Sequence, residues 1–469
     1  MTNTANPTRT ETDSLGAMEV PADAYWGVHT ARAIENFPIA KRPISVYPDF
    51  VRAFACVKQA AARANLEIGV LDKERADLID KACEEIKNGE LLDEFIVGVV
   101  QGGAGTSSNM NVNEVVTNRA LELAGHAKGD YSFINPNDHT NMSQSTNDTY
   151  PTAIKIALAF SLKSLLEQLD LLSEAFAAKG REFAHIVKVG RTQMQDAVPM
   201  TLGQEFNAFS VTLKEDIERL SDADKLLREV NMGATAIGTG INAPKGYRES
   251  VIRQLRKNTG LDLVTASDLV ESTSDTGAFV TFSAALKRSA IKLSKICNDL
   301  RLLSSGPQAG LNEINLPPRQ AGSSIMPGKV NPVIPEAVTQ VAYAIAGSDV
   351  TVSMAAESGQ LQLNAFEPII AHSLFQSITW LERACETLRI NCVDGITANE
   401  ERLHDMVATS VTVITALTPY IGYAASAKLA KEALRDHVNV ADLVVEHGLM
   451  ERAELEEVLS PERLSGLKQ

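Results

Sequence analysis

Apolar residues recur at spacings of four and three along three long stretches. Leu158, Leu162, Leu165, Leu169, Leu172 and Phe176 form the first series, and Leu202, Phe206, Phe209, Leu213, Ile217 and Leu220 the second. Phe279, Phe282, Leu286, Leu293, Ile296, Leu300 and Leu303 form the third. This spacing puts the apolar side chains on one side of an α-helix, so each stretch predicts a long helix that buries its stripe in a bundle. At 1.5 Å per residue, helices of 25 to 30 residues are rods of roughly 40 Å. Few segments alternate with period two, and no substantial sheet is expected.

The remaining chain is less periodic. The polar opening MTNTANPTRTETDS predicts a disordered tail over residues 1–13, Leu15 to Ile39 is mixed and turn-rich, and Asp49 to about Ile86 reads as helix. A helical pattern resumes from about Asn111, and beyond about Val393 the apolar pattern shortens into several small helices. The expected fold is therefore mainly all-α in three parts: a mixed N-terminal domain over 14–146, a central long-helix bundle over 147–393 and a small helical C-terminal domain over 394–469.

Composition narrows the function classes. With 469 residues and 44% hydrophobic positions, the chain can bury a large core. A net charge of −15 argues against nucleic acid and anionic membranes as partners. No apolar run approaches the ~18 residues that span a bilayer. The N-terminus has no apolar signal-peptide core, so a cytoplasmic location is expected. Cys56, Cys83, Cys297, Cys385 and Cys392 are scattered without CxxC spacing, which predicts reduced, buried thiols and no zinc site.

Chemistry is concentrated in polar clusters at predicted helix ends. They are Gly105-Thr106-Ser107-Ser108-Asn109, Ser145-Thr146-Asn147-Asp148, Gly190 to Asp196 (GRTQMQD) and Ala321 to Glu336 (AGSSIMPGKVNPVIPE). The last holds two hydroxyls, a lysine and an amide among glycines and prolines that exclude regular structure, which suits a loop closing over a small anion. Capping alone accounts for a Ser, Thr or Asn at one helix start. Four such clusters on one chain point instead to a ligand met by helix N-termini and hydroxyls. Gly322 to Lys329 is not a nucleotide phosphate loop, because five residues separate its glycines and Val330 stands where Ser or Thr is needed. Gly233, Gly238 and Gly240 miss the dinucleotide spacing, the eight histidines show no metal-ligand spacing, and no G-x-S-x-G elbow is present. No cofactor or metal is expected.

In this order, GTSSNMNVNE, NPNDHTNMSQSTND, GRTQMQDAVPMTLGQEF and GSSIMPGKVNP resemble the signature blocks of the aspartase/fumarase superfamily, a likeness running from about Leu15 to about Leu464. It implies a nearly all-helical three-domain subunit and a homotetramer whose active sites are each shared by three subunits. Within the superfamily the likeness is to the enzymes that eliminate ammonia from L-aspartate to give fumarate. The resemblance makes Ser323 the catalytic base that removes the Cβ proton. Thr106, Ser145, Thr146 and Ser324 then surround the β-carboxylate, which becomes a doubly charged aci-carboxylate. Thr192, Lys329 and Asn331 hold the α-carboxylate, and Asn147 and Gln193 receive the amino group.

Two positions favour ammonia over water as the leaving group. The related fumarases carry His in place of Asn135 and Gln193; hydroxide needs a proton to depart, whereas ammonium leaves once amides orient it. Class II fumarate hydratase, or an inactive structural protein of the same fold, are the alternatives. The family's usual SGPRAG has become Gly306-Pro307-Gln308 here. Glu114, Asp148, Asp196 and Glu336 are expected to be structural, and Arg119 an ion-pair partner.

Overall fold

The computed structural model describes residues 7–464 and 466. In chain order, an antiparallel ribbon of β1 (Thr8–Asp13) and β2 (Gly16–Pro21) leads to α1 (Val28–Asn36), α2 (Pro48–Glu67), α3 (Lys73–Lys87) and α4 (Thr106–Leu123). The long helix α5 (Thr146–Glu182) is followed by the hairpin β3 (Val187–Thr192) and β4 (Gln195–Thr201), then α6 (Leu202–Asp224). Next come β5 (Glu229–Val230), α7 (Tyr247–Thr259), β6 (Val264–Thr265), α8 (Glu271–Ser274) and α9 (Gly277–Leu303). β7 (Ile314–Asn315), α10 (Val333–Glu357), α11 (Glu367–Asn391) and β8 (Thr397–Ala398) precede the short helices α12 (Glu400–Thr409), α13 (Ile414–Ile421), α14 (Tyr423–Asp436), α15 (Val440–Glu446), α16 (Arg452–Val458) and α17 (Pro461–Leu464). Among the described residues, strands form only two-stranded ribbons. The mainly α class and the long helices are as the apolar pattern predicts, and every residue of the three stripes is buried except the half-buried Ile217.

Three local expectations are corrected. The tail expected to be disordered over 1–13 contributes β1, while residues 1–6 lie outside the described residues. The inward residue of β1 is Glu11, which accepts from the Val28 N–H at 2.9 Å, so a charged group takes the place of the apolar face that would have signalled a strand. The helix expected from Asp49 to Ile86 is two helices, because Gly69 takes a φ of +78° after α2 and Asp72 caps α3 by accepting from the Arg75 N–H. Helix α4 begins at Thr106, five residues before the apolar signal; Ser108, Asn109, Asn111 and Asn113 are buried polar residues on it.

The chain forms two compact units. One takes residues up to Leu166, Glu218–Arg288 and Ala344–Leu381; the other takes Glu167–Ile217, Ser289–Tyr343 and the chain from Glu382 onward. The boundaries fall inside α5, α6, α9, α10 and α11. In the first unit, Phe50 is the centre of an aromatic cluster, with ring centroids 4.9 Å from Phe54, 5.6 Å from Tyr150 and 4.9 Å from Phe375. In the second, Phe206 packs 5.2 Å from Phe183 and 5.7 Å from Phe209. Each such buried ring contributes about 1.5–3 kcal/mol of hydrophobic stabilisation. The short C-terminal helices have a separate core that includes Leu417, Leu429, Val444 and Leu455. All five cysteines are buried free thiols. No helix among the described residues is long and apolar enough to cross a membrane.

Candidate active site

In the first unit, two helix starts are set side by side. Gly105 precedes α4 with φ +90°, and a Cβ there would come within 2.3 Å of the Tyr150 ring in the first turns of α5. Glycine is required both by the left-handed backbone and by the close approach. Thr106, the first residue of α4, is exposed, and its hydroxyl donates to Gly103 O at 2.7 Å. Ser145 and Thr146 stand at the start of α5, where Ser145 Oγ accepts from the Asn147 N–H at 3.1 Å. The Asn147 amide nitrogen donates to Ala236 O at 2.7 Å, which leaves its Oδ1 as the atom to offer an ammonium.

Asp148 fixes that segment from below. One oxygen accepts from Ser145 N at 3.0 Å, and the other from Gly233 N at 3.1 Å and Thr235 N at 2.9 Å. Burial pushes its carboxyl up to about 6, against the pull of these three donors. Beside it lies Lys58 of α2, with no exposed surface. The Lys58 ammonium donates to Asn109 Oδ1 at 2.6 Å, Gln144 Oε1 at 3.0 Å and Asn141 Oδ1 at 3.1 Å. Burial pulls it down to about 7. The reading of the sequence missed Lys58; its only signal was a lysine among Ala, Val and Cys on an otherwise apolar helix.

In the second unit, β3 and β4 are joined through Gln193 (φ +54°) and Met194 (φ +65°), the two left-handed residues of a tight hairpin turn. Thr192 and Gln193 thus stand exposed at the hairpin tip. Its base is held by buried charge. Lys188 contacts Glu205 and Glu313 at 2.6 Å each, and Arg191 pairs with the same Glu313, whose side chain is fully buried. This network was also missed, because its members are far apart in sequence.

The 321–332 loop closes on itself. Gly322 N donates to Lys329 O at 2.7 Å, and Asn331 Nδ2 donates to Gly322 O at 2.7 Å. A Cβ on Gly322 would meet Lys329 O at 2.7 Å, so glycine permits the closure. Within the loop Ser323 Oγ accepts two backbone N–H groups, from Met326 at 2.9 Å and Ile325 at 3.2 Å. Ser324 and Lys329 are exposed, whereas Ser323 and Asn331 are half-buried. Lys329 and Asn331 line a cavity of about 580 Å³ with Ser305, Asn312 and Asn315. The predicted residues therefore form a group at the starts of α4 and α5 in one unit, and a loop and a hairpin tip in the other.

Like Asp148, two more of the charged residues set aside from the site have structural partners. Glu114 accepts from the N–H groups of Gly27, His29 and Thr30, and Arg119 pairs with Glu85 and Glu122. Asn135 caps the turn Pro136–Thr140 by accepting from Asn137 N and Asp138 N. No group of His, Cys, Asp and Glu among the described residues has the arrangement of a metal site.

The model of the family described as Lyase matches residues 16–347, and that described as Fumarase C C-terminus matches residues 413–466. The chain is 56% identical to an aspartate ammonia-lyase of Pseudomonas aeruginosa over 457 residues, covering 97% of this chain and 96% of the relative. It is 54% identical to an aspartate ammonia-lyase of Escherichia coli K12 over 461 residues, covering 98% and 96%. Among solved structures, a fumarate lyase:delta crystallin from Brucella melitensis bound to cobalt is similar with a TM-score of 0.95 and 54% identity, covering 98% of this chain and 100% of that one. A class II fumarase from Schistosoma mansoni is similar with a TM-score of 0.93 and 34% identity, covering 99% and 100%.

Proposed function

The chain belongs to the aspartase/fumarase family of lyases, and from that premise we infer that it eliminates ammonia from L-aspartate to give fumarate, the reaction of an aspartate ammonia-lyase. The observation that carries this reading is the 54–56% identity, over 97–98% of the chain, to proteins named for that activity, and Asn135 and Gln193, where the fumarases have His, agree with it.

Ser323 takes the Cβ proton as an alkoxide. A free serine is far too weak an acid for that role, and the Ile325 and Met326 N–H groups aimed at its Oγ supply the stabilisation an oxyanion needs. The electron pair of the broken C–H bond enters the β-carboxylate, which becomes an aci-carboxylate dianion facing Thr106, Ser145, Thr146 and Ser324. It then returns to form the Cα–Cβ double bond as the C–N bond breaks on the opposite face. The amino group leaves with its bonding pair, having been held by Asn147 Oδ1 and Gln193. Thr192, Lys329 and Asn331 hold the unreacting α-carboxylate throughout. Preorganised donors of this kind are worth about 3–4 kcal/mol each at the transition state. The scheme uses no cofactor, since the chain's own donors meet every charge that develops.

The acting form in this reading is a homotetramer in which three subunits build each site. Its support is that each of the long helices exposes large apolar residues: Val211 on α6, Ile291 on α9, and Tyr343, Val350 and Met354 on α10. Purified protein mixed with aspartate should develop the ultraviolet absorbance of fumarate. Activity on malate with none on aspartate would overturn the assignment. Sedimentation should give a particle of four 50.5 kDa chains, and a fully active monomer would refute the shared site.

A further inference from the structure

Thr106 and Thr146 open α4 and α5, and three residues further along each helix lie Asn109 and Thr149. Residues three apart share a helix face, nearly one turn and about 4.5 Å apart along the axis. Thr149 Oγ1 donates to Asn109 Oδ1 at 3.1 Å, so the two helices meet one turn beneath their opening threonines. The same Asn109 oxygen accepts the Lys58 ammonium at 2.6 Å. Gln144, which immediately precedes Ser145, supplies another of the lysine's acceptors. Lys58 is thus bonded directly to the floor beneath the substrate-facing hydroxyls.

A fully buried ammonium whose hydrogen-bond acceptors are all neutral amide oxygens is costly. The ionisable groups that face it are Asp148 of α5 and Cys83 of α3. Asp148 is already engaged by three backbone N–H groups. The arrangement makes sense once a further negative charge arrives at the helix starts. We propose that Lys58 is a positioning residue of this site: a buried cation, one helical turn beneath Thr106 and Thr146, that serves as the counter-charge of the bound dicarboxylate. The inference rests on the proposed function, because that reading puts a carboxylate above those hydroxyls.

Proton exchange with solvent separates this role from a packing role. Burial holds the free lysine near 7, so at pH 8 most of it is neutral amine, and an arriving carboxylate restores the ammonium. Asp148, pushed up to about 6, is already ionised at pH 8, and Cys83, pushed up further by burial, is already protonated. Ligand binding should therefore draw a proton to Lys58.

The test is calorimetric titration of the full-length protein with succinate, an unreactive dicarboxylate, at pH 8 in two buffers of different ionisation enthalpy. Wild type should take up on the order of one proton per site occupied. Lys58→Arg, whose guanidinium stays charged, should bind with no uptake. Lys58→Met should bind at least ~10-fold more weakly, also without uptake, the loss of about 1.4 kcal/mol that one buried charge can supply. Succinate binding to wild type without proton uptake overturns the inference, and so does uptake that persists in Lys58→Met or Lys58→Arg. If either variant fails to fold, the wild-type measurement and the other variant decide. Failure of wild type to bind succinate at all would instead sink the dicarboxylate reading of the site, and this inference with it.

Discussion

Ser323 Oγ lies 2.9 Å from the backbone nitrogen of Met326 and accepts its N–H, so the hydroxyl proposed as the base faces a donor suited to an oxyanion. Removing the oxygen removes the proposed base and leaves the proposed dicarboxylate-binding groups in place. Ser323→Ala should lower kcat by ~10³-fold or more, with succinate affinity nearly unchanged. A variant that turns over aspartate at the wild-type rate would mean that the proton goes elsewhere.

The approach of Gly105 to Tyr150 gives a structural prediction. Gly105→Ala forces a left-handed alanine, at about 1–2 kcal/mol, and drives a methyl to 2.3 Å from a buried ring, at about 1–3 kcal/mol more. Thr106, the next residue, is displaced with it, so kcat/KM should fall together with the melting temperature. Gly125→Ala is the control: its φ is +80° but nothing lies within 4 Å of the added Cβ, so only the backbone strain remains. Equal losses at the two positions would show that the tyrosine contact contributes nothing.

What could be read in the sequence was what repeats or stays local. The stripe from Leu158 to Phe176 carries its own period, and it is buried as expected. The start of α4 was not visible because its buried face is Ser108, Asn109, Asn111 and Asn113, held by hydrogen bonds, so an apolar count begins too late. Strand β1 escaped for the same reason, its inward group being Glu11. Ser323, Thr106 and the other proposed ligands were picked out through residue type and resemblance. Lys58 and Glu313 were not, because what marks them is burial, and burial is decided by partners such as Asn141 and Lys188 that lie far along the chain.

Glu313 joins Lys188 and Arg191 at the base of the hairpin that presents Thr192 and Gln193. Glu313→Gln keeps the shape and removes the charge, leaving Arg191 without its carboxylate. Breaking one partner out of a buried pair costs about 3–5 kcal/mol. The denaturation midpoint should fall accordingly, and KM for aspartate should rise as the hairpin tip loosens. Adding Arg191→Met removes the stranded charge and should recover part of the stability in a double-mutant cycle. Strictly additive losses would show that the two residues act independently.

The clearest pH dependence comes from Glu367, fully buried at the start of α11, where burial pushes its carboxyl up to about 8 against the attraction of Lys155. Its ordinary value is near 4.5. Between these two values the folded state holds a proton that the unfolded state has lost. The protonated group's contribution is therefore fully present below about pH 4.5 and is lost progressively as pH rises to about 8. Glu367→Gln presents a neutral group at every pH, so it should match wild type near pH 5 and exceed it near pH 9. The gain between pH 5 and pH 9 is at most about 4 kcal/mol, the attraction of Lys155 being already contained in the shift. Denaturation midpoints of the two proteins at several pH values measure it. A stability difference that stays constant from pH 5 to pH 9 would show that Glu367 does not titrate in that range.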